Sequence, residues 1–74
     1  MLWLNMDYPT GIWKLHVDSC RFCVPEETTN KGVDEIKEHG GWMSFETFAE
    51  ARAYFKDNSV SGSIWQPCKV CKPE

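Results

Sequence analysis

The residues in this sequence best equipped to do chemistry are its four cysteines. They fall in two pairs far apart in the chain, Cys20-Arg21-Phe22-Cys23 and Cys68-Lys69-Val70-Cys71. Two residues between thiolates let one tight turn present both sulfurs to a single ion at about 2.3 Å, and two such turns close a tetrahedral site. The spacing therefore predicts Cys20, Cys23, Cys68 and Cys71 as the ligands of one metal ion. Disulfides are the competing use. The opening residues Met1 to Asp7 have no basic segment followed by a long apolar run, so they do not read as a secretory signal. The expectation is a reducing, cytoplasmic compartment, where disulfides do not persist. A redox Cys-x-x-Cys wants a thioredoxin-like strand–helix–strand context, which the second pair, close to the last residue, lacks. Four thiolates suit zinc or a mononuclear iron centre. Iron centres of the rubredoxin type usually carry glycine after each pair, and here Val24 and Lys72 follow. The expected cofactor is Zn²⁺, with Arg21, Lys69 and Lys72 offsetting the charge of the thiolates.

Something must bring the two pairs together. Leu2, Leu4 and Met6 alternate with Asn5 and Asp7, as in a half-buried strand. Tyr8-Pro9-Thr10-Gly11 is a turn, with proline fixing φ and glycine taking the positive-φ position. A second strand follows, with Trp13, Leu15 and Val17 on one face and Ile12, Lys14 and His16 on the other; the two runs make a hairpin. Residues 24–32 are rich in Pro, Glu, Thr, Asn and Gly and read as a loop. Residues 33–39 carry acids first and His39 last, before Gly40-Gly41, the pattern of a two-turn helix. Trp42-Met43 is a short strand leading to Ser44, an N-cap for the main helix over 45–56, with Glu46 in its first turn. On that helix Phe45, Phe48, Ala49, Arg52 and Phe55 share a side. Residues 60–63 are a turn, Ile64-Trp65 a strand, and 68–71 a helical turn cut short by Pro73.

These elements describe an α+β fold: a short, mostly antiparallel sheet, one main helix and a second short one, forming one zinc domain over 1–74. At 74 residues, the core just about offsets the entropy of ordering the chain, and domains of this length often carry a metal or disulfides. Aromatic residues at 14% make a packed core feasible, with Trp13, Phe48, Phe55 and Trp65 its expected large members. No apolar run is long enough to span a membrane. A formal charge of −3 counts against a domain that coats nucleic acid by bulk charge, though not against a local basic patch. No Ser-His-Asp arrangement, phosphate-cradling glycine loop or paired catalytic carboxylate stands out.

Several of these residues together resemble the metal-binding domain of the Ada family, the methylphosphotriester-repair module of the DNA-alkylation response. They are Cys20-Arg21 after a strand, Trp42-Met43-Ser44, the segment Phe45-Glu46-Thr47-Phe48-Ala49-Glu50-Ala51-Arg52, and Trp65-Gln66-Pro67-Cys68-Lys69-Val70-Cys71-Lys72-Pro73. About half of the chain is covered, the C-terminal half best. In the repair members the first two ligands are spaced Cys-x-x-x-Cys and the first accepts the methyl group; in some relatives histidine takes that position. The residue four before Cys20 is His16, so the resemblance implies a second ligand set, His16, Cys20, Cys68 and Cys71, with Cys23 spare. Local geometry favours the four-cysteine set, because Cys-x-x-Cys closes a turn on one ion and His16 lies with Lys14 on the polar face of its strand. The chain departs from the family in the insert over 24–41, in Gln66 where arginine is usual, and in carrying no helix-turn-helix.

Three functions compete. The first is a stand-alone structural zinc domain that acts as an interaction module for a protein partner. The second is a zinc-activated thiolate, Cys20 or Cys23, that accepts a methyl group, with Arg21 and Lys69 near the phosphate. The third is nucleic-acid binding through Arg21, Lys69, Lys72 and exposed tryptophans. The acidic balance places the first ahead, with no catalytic residue assigned.

Overall fold

The computed structural model describes residues 1–72. Its strands are β1 (Leu2–Asp7), β2 (Ile12–Val17), β3 (Gly32–Val33), β4 (Gly40–Phe45) and β5 (Ile64–Trp65), and its helix is α1 (Phe48–Asn58), between β4 and β5. They form a five-stranded mixed sheet in the order β3-β4-β1-β2-β5 with one helix, an α+β arrangement.

The hairpin forms as the sequence pattern requires. Leu4 pairs with Leu15 and Met6 with Trp13, and the connecting turn closes with the Gly11 N–H on the Asp7 carbonyl at 2.8 Å. Gly11 takes φ +75°, which glycine adopts without strain. β4 adds to the other side of β1, antiparallel, with Met43 opposite Leu4. Alternation therefore sends Leu4, Met6, Trp13, Leu15 and Met43 to one face and Asn5, Lys14, His16 and Trp42 to the other.

α1 covers the first face. Leu4, Met6, Trp13, Leu15 and Ala51 make the buried centre, and Phe45, Phe48, Tyr54, Phe55 and Trp65 pack around it. Phe55 meets Trp13 edge-on at 5.2 Å between ring centres, and the Arg52 guanidinium lies over Trp65 at 4.9 Å.

Three expectations need correction. The main helix is capped by Thr47, not Ser44: its hydroxyl accepts from the Glu50 N–H at 3.2 Å, and the Glu50 carboxylate accepts from the Thr47 N–H at 3.1 Å. This reciprocal pair satisfies two orphan amides at the helix start. Ser44 and Phe45 stay in β4, and the Ser44 hydroxyl donates to the Asp34 carboxylate at 2.7 Å. Second, no helix forms over 33–39. Gly32–Val33 pairs parallel with β4, Asp34 takes φ +52° and Lys37 bridges back to Gly40. Only Val33 and Ile36 are apolar there, too few to hold two helical turns against the sheet. Third, the sheet is mixed, because β3 and β5 both join in parallel. Cys68 leads into a turn over 69–71; Pro73, expected to end it, lies outside the described residues.

Candidate metal centre

The C-terminal end of β2 is the scaffold of the site. β5 runs parallel to β2 and the pairing continues past it: the N–H groups of Ile64, Gln66 and Cys68 donate to the carbonyls of Gly11, Trp13 and Leu15 at 2.7, 2.9 and 2.9 Å. This two-residue ladder delivers Cys68 beside His16. Just past the end of β2, a turn held by the Cys20 N–H on the Val17 carbonyl, 3.1 Å, folds Cys20 back. Cys71 comes round on the turn after Cys68, and its sulfur accepts from the Val17 N–H at 3.4 Å. Residues 15–17 thus fix all four groups.

The donor atoms of His16, Cys20, Cys68 and Cys71 all lie within 4.8 Å of one another, compatible with a metal site. The Cys20 and Cys68 sulfurs are 3.9 Å apart. Sulfurs at the corners of a tetrahedron, each about 2.3 Å from a central ion, stand about 3.8 Å apart. All four cysteines are free thiols.

Cys23 is not in this group. Its N–H donates to the Cys20 carbonyl at 2.9 Å, so the Cys-x-x-Cys turn forms, but its half-buried thiol lies outside the cluster. His16 takes the fourth place. It does lie on the sheet face opposite Leu15, as alternation requires, yet it is only 3% exposed. That face is not solvent here: the cysteine segments fold over it, and Trp42 stacks beside the imidazole at 6.0 Å between ring centres. The sequence signal for His16 was its four-residue spacing from Cys20, and the assumption that a polar strand face is wet concealed it.

The electrostatics suit a cation. His16 Nδ1 is buried with no hydrogen-bond partner, a condition that costs about 1–3 kcal/mol unless something satisfies it. Burial, and then the nearby Lys14 charge, push the imidazole below the usual histidine range, toward the neutral form that binds metals. The N–H groups of Cys71 and Val70, directed at the Cys68 sulfur, hold its thiol below the ordinary value despite burial. Burial raises Cys71 to about 11. Cys23 is pushed up by burial, then by Cys20 and Asp18. A cation among the cluster would reverse the cost at Cys71 by holding the thiolate.

No protein-family model matches the chain, and neither a search of curated proteins nor one of solved structures finds a similar protein. Among the described residues no helix is long and apolar enough to cross a membrane.

Proposed function

We propose that the protein is a structural zinc domain that serves as an interaction module, with His16, Cys20, Cys68 and Cys71 as the zinc ligands. The observation that carries this is His16: an imidazole brought among three thiols with a buried, unpartnered ring nitrogen. Three thiolates and one imidazole are a ligand set zinc takes in closed structural sites, and no fifth donor belongs to the cluster among the described residues. Three thiolates and Zn²⁺ leave one negative charge, which Arg21 and Lys69, beside the ligands in sequence, offset. Free thiols of this kind fit a reducing, cytoplasmic setting.

The proposed ligand set has histidine in the first position, as in the relatives of the Ada-type metal domain that the sequence resembles, and that shared pattern supports a kinship with them as part of this proposal. The methyl-acceptor reading is weaker. A reactive thiolate must be reached by its substrate and activated by the metal: of the two candidate acceptors Cys20 is buried, and Cys23, half-buried, lies outside the cluster, while the family's acceptor position is held by a histidine.

The test is elemental analysis of native protein followed by thermal unfolding with and without a chelator. One zinc per chain and a large fall in the melting midpoint on chelation are expected. A metal-free preparation with the same midpoint contradicts the proposal.

A further inference from the structure

Beside the metal centre, on the sheet face away from α1, lies a hollow of about 510 Å³. Lys14 and Lys69 both line it, and no acidic side chain among the described residues does, although the chain as a whole carries a formal charge of −3. Its apolar wall is Phe22, Pro67 and Val70. Phe22 and Val70 are each inner residues of a Cys-x-x-Cys turn and are 51% and 57% exposed. Water-facing side chains of this size, on two turns that the metal would anchor through Cys20 and through Cys68 and Cys71, are suited to contact rather than to the core. A second hollow of about 410 Å³ continues along the same face and shares Asn5 and Lys14 with the first. There Lys31 holds the Asn5 side-chain oxygen at 2.6 Å and lies 3.9 Å from Asp7. The two hollows together form a groove with Lys69, Lys14 and Lys31 along it and apolar residues at the metal end; its one acidic lining residue among the described residues, Asp7, is the ion-pair partner of Lys31. Among the described residues neither Lys14 nor Lys69 has an ion-pair partner.

We propose that this groove binds an extended acidic peptide segment of a partner protein, with an apolar side chain between Phe22 and Val70 and carboxylates at Lys14 and Lys69. This names the partner class of the interaction module and rests on the zinc reading, since His16 and Cys68 form part of the groove wall. Two adjoining hollows on one sheet face suit an extended chain more than a compact small molecule. A short acidic segment with an apolar anchor suits it better than nucleic acid does. Trp13 and Trp42 are buried, Trp3 and Trp65 are half-buried and none of the four lines either hollow, and a long polyanion would meet the repulsion of the whole acidic chain.

The experiment is fluorescence anisotropy of the zinc-loaded full chain with a dye-labelled peptide of alternating Leu and Asp, at low salt, and with labelled oligothymidylate in parallel. Saturable peptide binding is expected. It should weaken about tenfold in the doubly substituted Lys14→Gln, Lys69→Gln protein, as the loss of two partly exposed charge contacts implies, and also in Phe22→Ala. Lys56→Gln, on the helix, should leave it unchanged. The proposal is overturned if peptide binding is absent, if the groove substitutions do not alter it, or if the oligonucleotide binds more tightly and loses affinity in the same variants. Zinc content measured on the same samples separates the two ideas: protein with its full zinc that ignores the peptide ends the groove proposal and leaves the metal centre standing.

Discussion

His16 stands on a strand face that would be wet if the sheet stood alone. It is dry because Cys20, Cys68 and Cys71 are tied by hydrogen bonds to the neighbouring residues 15–17. Substituting His16 with Ala should lower zinc affinity by roughly 10- to 100-fold or more, as should Cys20→Ser, Cys68→Ser or Cys71→Ser, read by competition with a chromogenic chelator. Cys23→Ser should retain one zinc at wild-type affinity. The pH dependence follows from the same residues. Cys71, raised to about 11, is protonated in the metal-free protein throughout the neutral range and must release its proton to bind. His16, lowered below the usual range, is already neutral at pH 7 and releases none. Zinc affinity should therefore rise with pH by at least about a factor of ten per unit between pH 6 and 8. A flat profile in the chelator competition would contradict the assignment of Cys71. The two Cys-x-x-Cys turns and the alternation of β2 were legible in the sequence. That His16 rather than Cys23 lies with the other three donors was not, since it depends on which strand the second cysteine pair lies beside.

At the scale of elements, periodicity identified the hairpin, β5 and the helix, but not what joins β4 to α1. A Ser three residues before Thr47 offers an equally good cap by composition, and the choice is made by Asp34, which holds Ser44 in the sheet through 2.7 and 3.0 Å hydrogen bonds. Thr47→Ala should then cost about 1 kcal/mol of stability, and Ser44→Ala should leave the helix start intact, measurable by amide exchange at Glu50. Charge order suggested a helix over 33–39, but a parallel partner strand was available to Val33, and pairing with β4 prevailed. That connection turns on Gly40, which has φ +108° and whose Cβ, if present, would strike the Met6 carbonyl oxygen. Gly40→Ala should lower stability by about 2 kcal/mol or more, or roughly 10 °C in melting midpoint. An unchanged midpoint would mean that β4 does not lie against β1 in this register.

For the whole molecule, the proposed metal centre would join residues 48 apart, Cys20 and Cys68, across β3, β4, α1 and β5. A cross-link closing a loop of that length removes unfolded-state entropy worth about 4 kcal/mol, treated as a disulfide would be. The fully buried centre on the helix side is only Leu4, Met6, Trp13, Leu15 and Ala51, with aromatic side chains around it, so this contribution is a large share of the net stability. Chelation should lower the melting midpoint by about 20 °C or abolish the transition. The α+β class was readable from the order of strands and helix, whereas the parallel addition of β5, which assembles the site, is a long-range pairing that local periodicity does not encode. X-ray absorption at the zinc edge of the native protein distinguishes the two ligand sets. The predicted ligand shell is three sulfurs at about 2.3 Å and one imidazole nitrogen at about 2.0–2.1 Å, unchanged in Cys23→Ser. A shell of four sulfurs that loses one in Cys23→Ser, or a protein that carries no zinc, would contradict it.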